Sequence, residues 1–216
     1  MRTLVIDEEH SNYADLFTQY GEVDCISIPS IPQIESYDLI CYVGGNDVDP
    51  SLYGHKKNYM THCNLALDAP NELAHMVATR KNIPVVGICK GAQQVFVFNG
   101  GCLFQHVTNH CETHNAFTTD PLFKEIQITS SHHQMMDLES LNPSRYELLS
   151  WCKARSTRYE REAICNTKPL DKEPEVVFFP KTKQLAVQYH PEWMSVDSPG
   201  AKYFDKLVQE KLLSGV

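Results

Sequence analysis

The chain has 216 residues, with 19 Lys and Arg against 27 Asp and Glu and a formal net charge of −8. Its 42% hydrophobic and 21% charged residues are the composition of a folded globular protein and exclude a disordered chain. The acidic balance disfavours nucleic acid and anionic membranes as partners. Because domains average about 150 residues, the length predicts a single domain over residues 1–216.

The cysteines and the N-terminus predict a cytoplasmic protein. Eight scattered cysteines form no C-x-x-C pair and are too sparse for a disulfide scaffold, which favours reduced thiols. The opening M-R-T-L-V-I-D-E-E has too short an apolar run for a signal peptide. No later stretch approaches the roughly 18 apolar residues of a membrane span.

Short apolar runs alternate with amphipathic stretches in the first half of the chain, a pattern typical of βαβ units around a parallel sheet. A polar loop is expected over residues 46–67, after Gly44-Gly45. The predicted elements, in chain order, are strand 3–6, a helix capped by Ser11 and ending near residue 20, strands 23–28 and 38–43, helix 68–82, strand 83–88 and helix 91–98.

From residue 102 the pattern changes to shorter strands separated by turns, which predicts an antiparallel extension of the sheet. The basic stretch 153–162 indicates a solvated hairpin, with a docking surface as the alternative. The fold class is therefore α/β with a mostly parallel central sheet. The predicted elements of this half are strands 125–129, 146–151, 163–166, 175–179 and 184–189 and a final helix 199–213.

Cys89 lies where a predicted strand turns directly into a predicted helix, in the run G-I-C-K-G-A-Q. Gly87 and Gly91 lack the Cβ atoms that would block a sharp corner, and a helix N-terminus favours a thiolate. The backbone N–H of Lys90 would face the same space and could stabilise an oxyanion. A buried structural cysteine is the alternative, and the flanking glycines favour a nucleophile over it.

A base for this nucleophile is found in Q-Y-H-P-E-W, at the end of an apolar strand. In an extended segment residues i and i+2 share a side, so Glu192 can lie beside His190 and fix its tautomer. Cys89, His190 and Glu192 thus match the roles of nucleophile, base and orienting acid.

Together these two motifs resemble the class I glutamine amidotransferase superfamily, and the resemblance extends over nearly the whole chain. Two further runs, G-G-N-D-V-D-P-S-L-Y-G at 44–54 and S-S-H-H-Q at 130–134, are similar to the γ-glutamyl hydrolase branch, which includes the γ-glutamyl-γ-aminobutyrate hydrolases. The resemblance implies a flavodoxin-like three-layer sandwich. It also implies a γ-glutamyl thioester on Cys89 and an oxyanion hole from the backbone of Gly45 and Lys90.

The resemblance also implies that the glutamyl moiety contacts residues from three parts of the chain. His132 and His133 are consecutive, so in extended chain only one can point to a given face, and the sequence leaves open which one. The expected substrate contacts are Gly44, Gln93, Ser131, His132 and His133.

Four further residues have the spacing H-x3-H-C-x2-H, which has some likeness to a metal site. A single loop without a second cysteine pair is weak evidence for zinc, so a surface loop or a substrate contact is favoured and no metal or other cofactor is expected. These residues are His106, His110, Cys111 and His114.

The sequence therefore predicts a cysteine-nucleophile hydrolase that cleaves a γ-glutamyl amide, either glutamine or a γ-glutamyl amine. The alternative is a glutaminase subunit that passes ammonia to a separate synthetase chain, and the run V-I-D-E-E-H-S-N-Y resembles ammonia-supplying domains. A binding module without chemistry is disfavoured because nucleophile, base and acid are all present. A redox-sensor thiol would need a resolving cysteine near Cys89, and no cysteine lies within a few residues of it in sequence.

Overall fold

Strands and helices alternate in the first half of the chain, and strands dominate the second half. A computed structural model describes residues 1–7 and 12–214. The helices in this part of the chain are α1 (Asn12–Asp15), α2 (Ile31–Ile34), α3 (Ala69–Lys81), α4 (Lys90–Phe98) and α5 (Pro199–Leu207). The strands are β1 (Arg2–Ile6), β2 (Glu22–Cys25), β3 (Leu39–Tyr42), β4 (Val85–Ile88), β5 (Cys102–Phe104), β6 (His106–Val107), β7 (His114–Thr118), β8 (Glu125–Ile128), β9 (Met135–Asp137), β10 (Glu147–Cys152), β11 (Tyr159–Arg161), β12 (Ile164–Asn166), β13 (Glu173–Phe179) and β14 (Gln184–Val187).

Nine of these strands form one mixed sheet in the order β2-β1-β3-β4-β14-β13-β10-β7-β8. The strands from β2 to β14 in this order pair in parallel. The strands from β14 to β8 pair in antiparallel fashion. The predicted α/β sheet with an antiparallel extension from the second half of the chain is therefore confirmed.

Two apolar cores lie on opposite faces of this sheet. Side chains alternate between the faces along each strand, so Leu4 of β1 joins one core and Val5 joins the other. Helices α2, α3 and α4 cover the first core, and α5 covers the second, where Phe204 packs against Phe17. Helix, sheet and helix are the three layers that the resemblance implies.

Several element boundaries differ from the sequence expectations. The helix expected up to residue 20 ends at Asp15 and is followed by a 3-10 turn, Thr18–Tyr20, while its expected cap, Ser11, lies outside the described residues. The last helix is α-helical to Leu207 and continues as a π-helical turn, Val208–Leu213. Helix α2 and strands β5, β6, β7, β9 and β11 were not predicted, because most of these segments are too short to show a period.

The expected polar loop 46–67 holds two 3-10 turns, Pro50–Tyr53 and Leu65–Leu67. The basic stretch 153–162 does contain one arm of a hairpin, since β11 pairs with β12, but Tyr159 in it is fully buried. Other 3-10 turns are Leu138–Ser140, Pro143–Arg145 and Pro191–Trp193.

All eight cysteines fall within the described residues, and each is a free thiol. In residues 1–7 and 12–214, no helix has the length and apolar character that crossing a bilayer requires.

The parallel half of the sheet brings three sequence motifs to one edge. Strands β3, β4 and β14 are neighbours, and each is followed within three residues by Gly44, Cys89 or His190, respectively. Because the carboxyl ends of parallel strands lie at the same edge, Gly44, Cys89 and His190 meet there.

Candidate active site

Cys89 occupies a strained corner between β4 and α4. Its backbone has φ 53° and ψ −107°, a conformation that a non-glycine residue adopts only when its surroundings enforce it. A Cβ on Gly87 would lie 2.1 Å from the carbonyl oxygen of Gly91, and a Cβ on Gly91 would lie 2.1 Å from that of Tyr42. Both glycines are therefore required for the corner that presents the thiol.

His190 and Glu192 form a close pair after β14. The Nδ1 atom of His190 lies 2.5 Å from Oε1 of Glu192, whose side chain is only 1% exposed. The backbone is not extended here as expected, since Pro191–Trp193 is a 3-10 turn that begins after His190. The turn still returns the carboxylate to the imidazole, so the i and i+2 side chains meet.

The surroundings of His190 favour its protonated form. Burial by itself lowers the pKa of the imidazole, but hydrogen bonding and charge from Cys89 and Glu192 outweigh this and raise the pKa to about 9. Nδ1 is occupied by Glu192, and among the described residues Nε2 has no partner other than the neighbouring Cys89 thiol. Nε2 is therefore the nitrogen available to exchange a proton with a thiol or a substrate.

Two aromatic residues that the sequence did not single out complete this region. The indole of Trp193 stacks on the imidazole of His190, with ring centroids 3.7 Å apart. The Tyr13 hydroxyl lies beside Glu192 and Gly44, and burial together with the charges of Glu192 and Cys89 raises the pKa of Tyr13. Trp193 follows the His-Pro-Glu run directly, which could have marked it, whereas nothing in the sequence marks Tyr13.

The glycine pair after β3 lies against the first turn of α4. A Cβ on Gly44 would lie 2.4 Å from the Tyr13 hydroxyl, and a Cβ on Gly45 would lie 3.4 Å from Cδ of Lys90. The Lys90 N–H, at the first position of α4, is not used by the helix ladder. Gly44, Gly45 and Lys90 line a cavity of about 360 Å³ together with apolar residues such as Val43.

The side chain of Lys90 is engaged in a buried ion pair. Its Nζ lies 2.7 Å from Oδ1 of Asp68, and the two side chains are 9% and 0% exposed. Asp68 also accepts hydrogen bonds from the Gln94 amide at 2.8 Å and the Asp49 N–H at 3.1 Å. The backbone N–H of Lys90 is thus the group of this residue that remains for a ligand.

The S-S-H-H-Q segment runs beside the nucleophile. The carbonyl oxygen of Ser131 lies 3.8 Å from the Cys89 sulfur, and the Ser131 side chain is exposed. The backbone carbonyl of Thr129, the residue before this segment, accepts a hydrogen bond from the His190 N–H at 3.2 Å. The segment therefore links the cysteine side and the histidine side of the site.

The structure separates the two consecutive histidines of this segment. His132 points into the protein, where its Nδ1 lies 2.9 Å from the Gln134 carbonyl oxygen and its ring lies against that of His110, with centroids 4.7 Å apart and planes inclined by 32°. Burial and the charge of His110 hold the pKa of His132 well below its usual value. His133 instead contacts Asp47 through Nε2 at 2.9 Å. The substrate contacts predicted for both residues stay predictions.

Gln93 is buried one helical turn after the nucleophile, and its amide is engaged within the protein. Its nitrogen donates to the Gln134 carbonyl at 2.9 Å and to the Gln188 side chain at 3.3 Å. In this arrangement Gln93 holds the S-S-H-H-Q segment in place. A direct contact with the substrate stays a prediction.

The four residues with metal-like spacing do not assemble as one cluster. His106 lies against His133, with the two Nδ1 atoms 3.3 Å apart, and Cys111 is exposed. Only His110 and His114 come together, and they do so with residues from distant strands. Sequence spacing within the loop therefore grouped the wrong side chains.

The arrangement as a whole places a thiol, an imidazole and a carboxylate next to backbone N–H groups and a cavity. The thiol can act as a nucleophile, the imidazole can move its proton, and the N–H groups can stabilise negative charge on oxygen. These are the groups that acyl transfer through a covalent intermediate requires.

Comparisons with known proteins identify a family. A family model described as Peptidase C26 matches residues 30–192, which include Cys89, His190 and Glu192. The glutamine amidotransferase-like protein YvdE of Lactococcus lactis is 26% identical over 215 residues, covering 94% of this chain and 87% of the relative.

Two solved structures share the fold. A glutamine amidotransferase from Thermotoga maritima superposes with a TM-score of 0.59 at 16% identity, covering 98% of this chain and 85% of that chain. The glutaminase domain of CTPS from Trypanosoma brucei, with bound acivicin, gives a TM-score of 0.59 at 15% identity, covering 96% and 92%. The chain thus belongs to the Peptidase C26 family, within the class I glutamine amidotransferase-like proteins.

Proposed function

We propose that the protein is a cysteine-nucleophile hydrolase that cleaves a γ-glutamyl amide bond, in glutamine or in a γ-glutamyl amine. The observation that carries the proposal is the strained corner at Cys89, placed next to an imidazole whose other nitrogen lies 2.5 Å from Glu192. Family membership and the amidotransferase fold support amide hydrolysis as the reaction class.

The reaction begins when Nε2 of His190 takes the proton of Cys89 and the sulfur attacks the γ-carbonyl carbon. Backbone N–H groups of Gly45 and Lys90 stabilise the oxyanion that forms. The C–N bond then breaks as the imidazolium of His190 donates its proton to the leaving amine, and a γ-glutamyl thioester remains on Cys89. Water attacks the thioester with His190 as base, and glutamate leaves as the thiol is restored.

Glu192 holds the imidazole in the orientation that these steps need, and its charge stabilises the imidazolium. The substrate enters through the cavity lined by Gly44, Gly45 and Lys90. All of these roles are assigned to side chains and backbone N–H groups of this chain, and none of them needs a cofactor.

A second candidate is a glutaminase subunit that passes ammonia to a separate synthetase chain. It is supported by the likeness to the glutaminase domain of CTPS, because in that protein the glutaminase is one domain. A small-molecule substrate is common to both candidates, and the leaving group distinguishes them: a larger amine for the stand-alone hydrolase, ammonia for the subunit.

The test is release of glutamate and of amine by the purified chain, with glutamine and a panel of γ-glutamyl amines compared side by side. Faster turnover of γ-glutamyl amines than of glutamine supports the stand-alone hydrolase. Weak turnover of all substrates, with rapid alkylation of Cys89 by a thiol reagent, supports the glutaminase subunit.

The same assay tests the shared chemistry through two variants. Cys89→Ala should abolish turnover while the far-ultraviolet circular dichroism and Tm remain close to those of the wild type. The exposed Cys165 provides the matched control, and Cys165→Ala should retain full activity. Undiminished activity in Cys89→Ala would refute the mechanism.

A further inference from the structure

We propose that His110, His114, Cys152 and Glu175 form a buried site for a transition-metal ion, and that zinc is the ion that fits it. One donor atom from each of these four residues lies within 4.8 Å of all the others, and all four side chains are buried. The residues come from separate segments, since β7, β10 and β13 are neighbours in the sheet and His110 precedes β7. This proposal is independent of the function proposed above.

The donor set is one that zinc prefers. Two imidazoles, one thiolate and one carboxylate provide nitrogen, sulfur and oxygen for a four-coordinate ion. Zinc bonds of about 2.0 to 2.3 Å separate the ligand atoms of a tetrahedral site by about 3.3 to 3.8 Å. The widest pair here needs to close by about 1 Å, and Nε2 of His114 and Oε1 of Glu175, which are now hydrogen-bonded at 2.9 Å, need to move apart by about 0.4 Å.

The charges around the cluster indicate an unmet need for a cation. Glu173 is fully satisfied, because it accepts hydrogen bonds from His110, from the Tyr159 hydroxyl at 2.6 Å and from the Ser156 N–H at 2.9 Å. Glu175 is just as deeply buried, yet its Oε2 has no partner among the described residues. A buried carboxylate oxygen without a partner is costly, and a divalent ion would remove that cost.

The histidines are also held in the way that metal ligands usually are. A metal-bound imidazole generally gives its second nitrogen to a carboxylate or a backbone oxygen. Nε2 of His110 contacts Glu173 at 3.0 Å, and its Nδ1 is buried without a partner in the described part of the chain. Nδ1 of His114 contacts the Glu112 carbonyl at 3.1 Å, so Nε2, which lies 2.9 Å from Oε1 of Glu175, is the nitrogen that would bind an ion together with that carboxylate.

An ion at this place would order the active-site wall and would not take part in the chemistry. The His110 carbonyl accepts hydrogen bonds from the Ser130 hydroxyl at 2.8 Å and the His132 N–H at 3.0 Å. Ser131 lies between these two residues in the chain, and its carbonyl oxygen is 3.8 Å from the Cys89 sulfur. The proposed ion therefore has a structural role and reaches the nucleophile only through the segment that contains Ser131.

Cobalt substitution gives a direct test, because a cysteine thiolate bound to Co²⁺ produces an intense near-ultraviolet charge-transfer band. The experiment uses the full chain with Cys89→Ala, so that the nucleophile contributes no band. One equivalent of Co²⁺ should give the band, and equimolar Zn²⁺ should remove it. The band should be lost in Cys152→Ser and retained in Cys165→Ser, the control at an exposed cysteine.

Thermal unfolding provides a second test, which begins with the wild-type protein. Zinc at a hundredfold excess over its Kd should raise Tm by about 5 to 10 °C, and a chelator should reverse the rise. His114→Gln should lose this response even though it can still hydrogen-bond to Glu175. If Cys89→Ala shows no cobalt charge-transfer band and the wild type shows no zinc-dependent rise in Tm, the cluster is a metal-free hydrogen-bonded one and the proposal is wrong.

Discussion

The indole ring of Trp193 lies flat on the imidazole ring of His190, with the centroids 3.7 Å apart and the planes inclined by 6°. The indole is 55% exposed, so it covers one face of the imidazole and presents its own outer face to solvent. A stacked indole fixes the orientation of the imidazole and favours its cationic form through the ring quadrupole. Trp193 is thus a positioning residue for the proposed general base.

Removal of this stack is expected to lower activity. An aromatic stack contributes about 0.5 to 1.5 kcal/mol, so Trp193→Ala should lower kcat/KM by about threefold to tenfold. In this variant the fall of kcat/KM at alkaline pH should also move to lower pH, because the His190 imidazolium loses the stabilising contact with the indole. Trp193→Phe retains a ring and serves as the control with near wild-type values. An alanine variant with an unchanged pH profile would show that the stack is only structural.

The pH dependence of kcat/KM is expected to show a fall above about pH 9. The leaving amine receives its proton from the His190 imidazolium, and the raised pKa of His190, about 9, keeps this proton in place at lower pH. Because Glu192 is one of the groups that raise the pKa, Glu192→Gln should move the fall to lower pH. It should also retain more activity than Cys89→Ala. A fall at the same pH in both proteins would contradict the assigned role of Glu192.

The glycine at the second position of α4 is expected to be essential for folding. A Cβ at Gly91 would lie 2.1 Å from the backbone oxygen of Tyr42, which belongs to a central strand and has little room to move. Gly91→Ala should therefore lower the free energy of unfolding by about 3 kcal/mol or more in urea titration.

Gly54 is the control for this substitution, because its Cβ would have no atom within 4 Å. Its φ of 73° is left-handed, so asparagine is the suitable replacement there. Gly54→Asn should cost less than about 1 kcal/mol. Equal losses at the two glycines would argue against a tight corner at Cys89.

The buried ion pair between Lys90 and Asp68 is expected to stabilise the fold by pairing, with no chemical role for the ammonium. Lys90→Met leaves the Asp68 carboxylate buried without its cation, and it should lower the free energy of unfolding by about 3 kcal/mol. Adding Asp68→Asn should recover part of that loss, because the uncompensated charge is removed.

Urea unfolding of both single variants and the double variant measures this coupling. Additive losses would show that the pair is not coupled. Since the proposed oxyanion donor is the Lys90 backbone, Lys90→Met should keep a substantial fraction of the wild-type kcat in the folded population. Complete loss of kcat with folded protein would instead give the ammonium a role in the reaction.

Much of the fold and the composition of the site followed from the sequence. Alternating apolar runs predicted the layered α/β sheet, because helix and strand periods are imposed by backbone geometry within a few residues. The corner at Cys89 was equally local, since Gly87 and Gly91 flank it in the chain. The pairing of His190 with Glu192 was also foreseen, although the backbone between them is a 3-10 turn and not a strand.

The tertiary structure decided what lies next to what across the chain. It turned His132 inward against His110 and His133 toward Asp47, and it brought Tyr13 to Glu192. These contacts join residues far apart in sequence, so no local period or spacing encodes them.

Long-range contacts also explain why the sequence did not identify the proposed metal site. The sequence grouped four neighbours of one loop, whereas the sheet order places His110 and His114 with Cys152 and Glu175. Strand pairing is set by the packing of the whole core, and only that packing determines which buried side chains share a space. The sequence by itself determined the chemical groups and their local geometry, and the fold determined their partners.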